Sequence, residues 1–292
     1  MVEMDIREHV MLRPKTTMRI GGTARYFAEL KTQADIEEAV KFSEKQQLSI
    51  VPLGSGSNTI FADGEIDAFV VQIKHETVTI DENRVTVGAG KNLAMLINEL
   101  SEKGLDLSAL TGIPGTVGGA IFGNAGQGPK GVWIGAFVES VTAFADGEWK
   151  TLRNEECGFQ YRESIFKKTK GAAPILWEAT LIVPPGDPAT IKKTIESLLQ
   201  KRIETQPHLK TAGSCFKAVG DTPAWRLIDA AGLRGFKIGG VEISSKHANF
   251  LINVGEATFS DVVSVVEEVK QKISNDLDIE MRFVKNDGTL RF

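Results

Sequence analysis

Glycine dominates the stretch Thr111–Gly126 (TGIPGTVGGAIFGNAG), in which six of sixteen residues are glycine. A second loop rich in glycine and serine, Pro52–Asn58 (PLGSGSN), follows an apolar, strand-like segment upstream. Glycine has no Cβ, so such loops allow positive φ and let a ligand approach the backbone closely. Successive free N–H groups in such loops bind anions. Either loop alone is more typical of an ordinary tight turn, but the two together predict a site for a large phosphate-bearing ligand.

Composition narrows the class of protein. The chain has 292 residues, of which 42% are hydrophobic and 25% charged, as in soluble globular proteins with one large or two smaller domains. The net charge of −4 argues against a dominant nucleic-acid or membrane role. The sequence shows neither a signal-peptide pattern nor an apolar run of about eighteen residues. Cys157 and Cys215 fit neither a disulfide framework nor a metal site, so we expect a cytoplasmic protein with reduced thiols.

Hydrophobic periodicity predicts a mixture of helices and strands, an α+β or α/β chain. Helical spacing of apolar residues occurs in four segments: Asp35–Gln46, Asn92–Lys103, Ala189–Ile203 and Thr258–Ile273. Apolar runs predict strands in five others: Leu48–Leu53, Ala68–Ile73, Phe137–Phe144, Ile175–Val183 and Asn249–Val254. Proline and glycine cluster at Pro184–Pro188. We therefore predict a domain at residues 1–186, with subdomains of about 1–73 and 74–186, and a smaller domain at 187–292.

The glycine loops match neither of two common nucleotide-binding patterns. GSGSN lacks the Gly-Lys-Ser/Thr ending of a Walker loop. No GxGxxG between a strand and a helix is followed by an acidic residue about twenty positions later, as in a Rossmann fold. A ligand held by loop amides from two places in the sequence remains, and a dinucleotide pyrophosphate meets that requirement.

Five segments then occur in a characteristic order: PLGSGSN, GIPGTVGGAIFGNAG, YRESIF, GSCFK and IEMRF. In order and spacing, from about Thr17 to Phe283, they resemble the UDP-N-acetylenolpyruvoylglucosamine reductases. The resemblance implies an FAD-binding domain of the vanillyl-alcohol-oxidase (PCMH) type, in two α/β subdomains, and a C-terminal α+β substrate-binding domain. The segment between Arg162 and Gly213 is too short for the substrate-covering insertion of longer members. The chain therefore resembles the shorter, type II form.

The resemblance also implies a reaction, the NADPH-dependent reduction of UDP-N-acetylglucosamine enolpyruvate to UDP-N-acetylmuramate in peptidoglycan synthesis. Hydride passes from NADPH to non-covalent FAD and then to the vinyl carbon, which leaves an enolate-like centre that needs stabilisation and a proton. By resemblance, Ser214 donates the proton and Arg162 holds the substrate carboxylate or enolate oxygen. Glu280 polarises the same carboxyl group or takes part in protonation. The structural alternatives are a turn serine, a surface arginine paired with Glu163, and an exposed strand carboxylate.

The binding residues are carried over in the same way. For the FAD phosphates and ribose the resemblance implies Gly54, Ser55, Gly56, Ser57, Asn58, Gly112, Pro114, Gly115, Thr116, Gly118 and Gly119. Near the isoalloxazine it places Gly123, Asn124, Ala125 and Gly126. For the substrate it implies Tyr161 together with two cations, Arg202 and Lys217, at the UDP part. Arg202 is equally well interpreted as a solvated cation in the last turn of a helix, and we interpret His247 as structural.

The chain departs from the family pattern at several positions. Ala218 replaces an asparagine that helps to bind substrate, and Glu280 lacks the usual preceding proline. Thr116 stands where serine is common, and Gln127–Lys130 replaces Ala-Tyr-Gly.

Two other functions stay open. A flavin-dependent sugar or alcohol oxidase often attaches FAD through a histidine near the first glycine loop, but His75 lies outside that loop. A non-catalytic UDP-sugar-binding protein would not be expected to keep Ser214, Arg162 and Glu280 together. With the reductase function, we expect a monomer that binds the nucleotide sugar and NADPH, without nucleic-acid or membrane partners.

Overall fold

The computed structural model describes residues 4–128, 131–167, 174–208, 210–274 and 276–291. Within these ranges the chain forms six α-helices: α1 (Gln33–Gln46), α2 (Leu93–Glu102), α3 (Val117–Phe122), α4 (Pro188–Thr205), α5 (Ala224–Ala230) and α6 (Phe259–Ile273). The strands are β1 (Ile6–Met11), β2 (Thr23–Leu30), β3 (Ser49–Pro52), β4 (Thr59–Phe61), β5 (Glu65–Ile73), β6 (Val78–Asp81), β7 (Arg84–Gly88), β8 (Val138–Ala145), β9 (Glu148–Arg153), β10 (Ile175–Ile182), β11 (Thr211–Ser214), β12 (Lys237–Ile238), β13 (Val241–Ile243), β14 (Phe250–Asn253), β15 (Arg282–Val284) and β16 (Leu290–Arg291). None of the helices in these ranges is both long and apolar enough to cross a membrane.

The longer helices form where periodic apolar residues follow a capping side chain. Thr32 and Thr258 open α1 and α6 with capping boxes, and Asn92 accepts a hydrogen bond from the Met95 N–H at the start of α2. On α6, every fourth or third side chain is buried along one face: Val262, Val265, Val266 and Val269. All four helices expected from periodicity are confirmed.

The chain divides into two compact units, and the first contains Ala28–Gly54, Phe69–Lys201 and the N-terminal residues up to Ile6. Its main sheet is antiparallel, with strand order β6-β7-β10-β8-β9. Its core joins this sheet to the apolar faces of α2, α3 and α4, including Leu96, Val117 and Ile191. The glycine-rich stretch therefore belongs to a packed element of this unit.

The second unit contains Arg7–Phe27, Ser55–Ala68 and Arg202–Phe292. It holds an antiparallel sheet of order β11-β14-β13-β12 and a three-stranded sheet of order β16-β15-β4, in which β15 and β4 run parallel. Helices α5 and α6 contribute to its core.

A further sheet has the order β1-β2-β5-β3, and the division between the units runs through β1, β2 and β5. The division therefore does not follow the boundary expected at residue 186, and that domain boundary stays a prediction. The mixture of largely antiparallel sheets with helices is an α+β fold, as expected.

Candidate active site

In the first unit, the two glycine loops meet at Gly54. A Cβ built on Gly54 would lie 2.8 Å from the Thr116 Oγ1 atom, which is too close for any side chain. The Gly54 carbonyl also accepts a 2.8 Å hydrogen bond from Gln72 Nε2. Glycine at this position thus lets the start of the first loop pack directly on the second loop.

The second loop contains a short helix that the sequence analysis did not predict. Thr116 caps α3 by accepting a 3.2 Å hydrogen bond from the Gly119 N–H. A Cβ on Gly118 would lie 2.8 Å from the Cβ of Ala89, so that glycine is needed for packing. On Gly119 and Gly123, a Cβ would meet no described atom closer than 3.4 and 3.8 Å. Since the protein's own packing does not require glycine there, these open faces fit a ligand lying against the backbone.

Asn124 lies near the end of the glycine stretch and holds a neighbouring turn in place. Its backbone is left-handed, with φ 42°, and its side chain is buried. Nδ2 donates to the Gln160 carbonyl at 2.7 Å, while Oδ1 accepts from the Gly135 N–H at 3.0 Å. Ser164 Oγ adds a 2.6 Å hydrogen bond to the Phe122 carbonyl. The Asn124 side chain therefore works as a brace, and a cofactor contact at this position would come from its backbone.

The turn held in this way presents Tyr161 and Arg162 at its tip. Gln160 and Glu163 close it with two backbone hydrogen bonds of 3.1 Å. Arg162 has φ 56°, a left-handed conformation that costs a non-glycine residue on the order of 1 kcal/mol. Its guanidinium carbon lies 5.7 Å from the Tyr161 ring centroid, and Lys167 Nζ donates to its carbonyl at 2.9 Å. Such strain is typical of functional sites.

In the second unit, the remainder of the first glycine loop lies beside the start of β11. Gly56 has φ 65°, and a Cβ there would lie 2.2 Å from the Lys15 carbonyl oxygen. The Gly56 carbonyl accepts a 3.1 Å hydrogen bond from the Thr17 N–H, and Thr17 Oγ1 donates at 2.6 Å to the carbonyl of Thr211. Because β11 ends at Ser214, the loop and the expected proton donor share one local framework.

Two of the expected catalytic residues, Ser214 and Glu280, are brought together in this unit. The Glu280 N–H donates to the Cys215 carbonyl at 2.8 Å. Asn58 Nδ2 donates to the Glu280 carbonyl at 3.1 Å, and the Asn58 carbonyl accepts from the Arg282 N–H at 2.9 Å. The side chains of Ser214 and Glu280 are half-buried. The Asn58 amide therefore positions the segment that carries Glu280, a role that the sequence analysis did not foresee.

Basic side chains also lie in the second unit. Arg282 is buried, and burial lowers the pKa of its guanidinium to about 10, so it stays charged at neutral pH. Sequence reasoning did not single it out, although it lies within the IEMRF segment. Lys217 Nζ lies 3.9 Å from an Asp278 carboxylate oxygen. Arg202, in the last turn of α4, donates to Gln206 Oε1 at 3.3 Å.

Two histidine rings, those of His247 and His75, are packed against neighbouring protein groups. His247 Nδ1 accepts the Asn249 N–H at 3.3 Å, and burial followed by the charge of Arg234 lowers the pKa of its ring. This placement agrees with the structural interpretation of His247. The His75 ring stacks on Trp177, with centroids 4.1 Å apart and planes 5° apart. Because its ring is packed in this way, His75 gives no support to a covalent flavin link.

Gln127 begins the loop after the glycine stretch, where the sequence is expected to differ from the family that it resembles. Gln127 Nε2 donates to the Ala109 carbonyl at 3.0 Å, so this side chain fastens the loop to the segment before the glycine stretch. Pro129 and Lys130 lie outside the described residues.

Comparison with known proteins identifies the family of the chain. Residues 24–153 match the family model described as an FAD binding domain, and residues 206–283 match that of the C-terminal domain of UDP-N-acetylenolpyruvoylglucosamine reductase. A reductase of that name from Moorella thermoacetica is 34% identical over 96% of this chain and 92% of its own length. One from Anoxybacillus flavithermus is 36% identical over 92% of this chain and 89% of its own length.

Among solved structures, the MurB crystal structure from Thermus caldophilus superposes with a TM-score of 0.84 at 31% identity, and the match covers 96% of this chain and 99% of that one. The expected fold class is confirmed. Since these likenesses extend over nearly the whole sequence, this chain belongs to the UDP-N-acetylenolpyruvoylglucosamine reductase family.

Proposed function

We propose that this chain reduces UDP-N-acetylglucosamine enolpyruvate to UDP-N-acetylmuramate, with NADPH as the co-substrate. The family supplies the reaction class, and one observation in the structure supports it most directly. Ser214 and Glu280, far apart in sequence, belong to segments joined by the hydrogen bond from the Glu280 N–H to the Cys215 carbonyl. A reaction that adds a proton beside a carboxylate needs a donor and a carboxyl-binding group in fixed relation.

The cofactor is FAD, held without a covalent bond. When bound, it supplies the transfer of hydride from NADPH to the vinyl carbon of the substrate. Gly119 and Gly123 leave open backbone faces for it, and Gly54 packs on Thr116 so that the two loops adjoin. The residues proposed to hold it are Gly54, Ser55, Gly56, Ser57, Asn58, Gly112, Pro114, Gly115, Thr116, Gly118, Gly119, Gly123, Asn124, Ala125 and Gly126.

Three side chains carry the substrate chemistry in this proposal. Ser214 Oγ donates a proton to the carbon that becomes enolate-like. A serine hydroxyl is a weak acid, and it can donate only to a strong base of this kind. Arg162 binds the substrate carboxylate or enolate oxygen through its planar, permanently charged fork. Glu280 acts on the same carboxyl group or takes part in protonation, and for that it must be protonated or hydrogen-bonded.

The UDP part of the substrate is assigned to cations of the second unit. Lys217 and Arg202 offer positive charge, and Tyr161 offers an aromatic face and a hydroxyl. Ala218 stands where the family uses an asparagine, and an alanine side chain cannot supply the missing hydrogen bond. The diphosphate contacts therefore depend more heavily on Lys217 and Arg202.

The FAD spectrum tests this function in two steps. Purified protein loaded with FAD should lose its flavin absorbance when NADPH is added without oxygen. The absorbance should return when UDP-N-acetylglucosamine enolpyruvate is added. A protein that takes up no FAD, or whose absorbance stays bleached with this substrate, would refute the proposal.

The role of Ser214 is tested with Ser214→Ala. Bleaching by NADPH should stay within about twofold of wild type, while the return of absorbance slows by roughly 10²- to 10⁴-fold. Ser244→Ala is the matched control, since Ser244 is a buried serine of the same unit whose Oγ accepts a backbone N–H from Lys246. Equal slowing of both steps in Ser214→Ala would show that Ser214 is not the proton donor.

The proposal also covers the oligomeric state, the compartment and the partners of the enzyme. We infer that it works as a monomer in the cytoplasm, where NADPH is supplied, without nucleic-acid or membrane partners. The net charge of −4 supports this view, as do the two buried, unbridged cysteines.

A further inference from the structure

The β-ladder between β11 and β14 ends beside Ser214, and a side chain replaces the next backbone pairing. Strands β11 and β14 are antiparallel, with Ser214 opposite Phe250. One residue later, the Cys215 N–H donates to the Asn249 carbonyl at 2.8 Å. Strand β11 stops at Ser214, so the backbone of Phe216 lies beyond the strand and needs other partners.

The side chain of Asn249 supplies those partners. Its Oδ1 accepts the Phe216 N–H at 3.0 Å, and its Nδ2 donates to the Phe216 carbonyl at 2.8 Å. The side chain therefore replaces one rung of the ladder, with a donor and an acceptor facing a single residue. Asn249 is only 6% exposed and Phe216 only 1%, so water cannot easily take over either bond.

The opposite edge of the same segment is joined to the residues around Glu280. The Glu280 N–H donates to the Cys215 carbonyl at 2.8 Å, and the Lys217 N–H donates to the Asp278 carbonyl at 2.9 Å. The segment after Ser214 is thus held from two sides, by Asn249 and by the segment of Glu280. Removing the Asn249 amide would leave only the backbone bond from the Cys215 N–H to the Asn249 carbonyl on one side, and would leave two buried backbone groups of Phe216 without partners.

We propose that Asn249 is a positioning residue, which fixes Ser214 relative to Glu280 through the backbone of Phe216. The proposal rests on the proposed function for the catalytic roles of Ser214 and Glu280. The position requires an amide, because the side chain must donate and accept at once. Leucine of similar size does neither, and an ionised aspartate can only accept.

Asn253, the last residue of β14, provides a matched control, since Asn249 directly precedes the same strand. It is 5% exposed and also braces backbone, with Nδ2 donating to the Met18 carbonyl at 2.9 Å and Oδ1 accepting the Gly255 N–H at 3.1 Å. Loss of its amide also removes two hydrogen bonds, one buried and one part-buried, but at a different part of the unit. A general loss of stability would therefore affect both the Asn249 and the Asn253 variants.

The test compares Asn249→Leu and Asn249→Asp with Asn253→Leu and Asn253→Asp, all as FAD-loaded enzyme. Both Asn249 variants should be bleached by NADPH within about twofold of wild type at neutral pH. Their reoxidation by UDP-N-acetylglucosamine enolpyruvate should slow on the order of 10- to 100-fold, as expected when a donor is displaced. The Asn253 variants should keep both rates.

Asn249→Asp adds a pH profile. As pH falls, the protonated carboxyl group regains a donor for the Phe216 carbonyl, so the reoxidation rate should recover relative to wild type. Hydrogen exchange at the Phe216 amide should be faster in Asn249→Leu than in wild type, but unchanged in Asn253→Leu.

The proposal would be overturned if Asn249→Leu were reoxidised by the substrate at the wild-type rate. It would also be overturned if bleaching by NADPH and reoxidation slowed equally. If Asn249→Leu does not fold, a flat pH profile in Asn249→Asp would do the same. If the wild type is not reoxidised by the substrate, the proposed function fails on its own. Exchange at the Phe216 amide then decides whether Asn249 braces the segment.

Discussion

At the scale of single residues, Arg162 shows how local strain and charge are combined. Its left-handed backbone lies at the tip of a closed turn, and Lys167 Nζ donates a hydrogen bond to its carbonyl. We predict that Arg162→Lys slows reoxidation by the substrate about 10²-fold, because an ammonium group cannot make the same two-pronged contact with a carboxylate. Bleaching by NADPH should be little affected.

Arg153→Lys is the control for that substitution, because Arg153 is an exposed arginine of the same unit. Stopped-flow measurement of bleaching by NADPH and of reoxidation by the substrate shows which half-reaction each variant slows. Turnover near the wild-type rate in Arg162→Lys would rule out a bidentate clamp.

His247 predicts a pH dependence of stability. Burial, followed by the charge of Arg234, lowers the pKa of its ring below the ordinary 6.5. The folded state therefore favours the neutral ring. The stability that this contributes is complete above pH 6.5 and is lost as pH falls through the lowered folded pKa. Protonation would also remove the acceptor for the Asn249 N–H.

Urea unfolding between pH 8 and pH 5 checks this prediction with His247→Asn, whose side-chain oxygen can still accept the Asn249 N–H. The variant should lose less free energy of unfolding than wild type over the acidic part of that range. Parallel curves for the two proteins would mean that His247 does not contribute to acid sensitivity.

The two cysteines should be inert in the folded protein. Burial and then the charge of Glu280 raise the pKa of the Cys215 thiol well above its usual value, and burial and then nearby acidic residues raise that of Cys157 to about 11. Since the thiolate is the reactive form, neither should be alkylated by iodoacetamide at pH 8 until the protein is unfolded. Mass spectrometry would detect the adducts. Rapid native labelling of Cys215 would reopen a role for its thiol in catalysis.

At the scale of elements, helix α3 contains two glycines with different roles: one is needed for packing within the protein, and the other is proposed to lie against FAD. Gly118 packs against Ala89, whereas a Cβ on Gly119 would meet, among the described atoms, only the Thr116 Oγ1 atom, at 3.4 Å. Alanine is favoured over glycine inside a helix by about 1 kcal/mol. Gly119→Ala should therefore keep or raise the melting temperature of the apoprotein but weaken FAD binding, because the new methyl group occupies the ligand's face.

Gly118→Ala is the matched partner and should lower the melting temperature of the apoprotein, since its Cβ would overlap Ala89. Thermal unfolding of the apoproteins and FAD titration measure the two effects separately. If Gly119→Ala bound FAD as tightly as wild type, the open face of α3 would not be part of the cofactor site.

The elements found from sequence were those with a strong local pattern. Helix α6 carries its own cap and apolar face, so its limits follow from nearby residues. Helix α3 was missed because glycine is a poor helix former, and this helix depends on packing against residues far away in sequence. Strand β4 has only three residues, and it forms by pairing with β15 near the C-terminus.

The residues of the candidate site also fall into two groups, those that sequence predicted and those that only the structure revealed. Ser214, Arg162 and Glu280 were predicted because they lie in segments that resemble a family. Asn58 and Asn124 also lie in such segments, but the resemblance assigned them to FAD, and Asn249 lies outside these segments. None of the three shows from sequence that its side chain holds a backbone group far away in the chain. Sequence therefore indicated the candidate reacting groups, while the structure was needed to show which side chains hold their segments in place.

At the scale of the whole molecule, the C-terminal part of the chain does not complete its own core. Its second unit takes in Arg7–Phe27 and Ser55–Ala68. Met18, Ile20 and Ile60 from these segments are almost fully buried in the core that contains α6. Strand β15 also takes β4 as its parallel neighbour. The core of the second unit can therefore be completed only when both the N-terminal segments and the C-terminal part of the chain are present.

This interleaving leads to a prediction about fragments. A fragment of residues 187–292, cut at the boundary expected from sequence, should lack a cooperative thermal transition, because its core is short of the side chains from the N-terminal segments. Added to a fragment of residues 1–186, it should recover a transition near that of the intact chain. Circular dichroism and dispersion of amide resonances give the measurement. Cooperative unfolding of 187–292 alone would show that the C-terminal residues form an independent domain, and that the N-terminal segments contribute little to its stability.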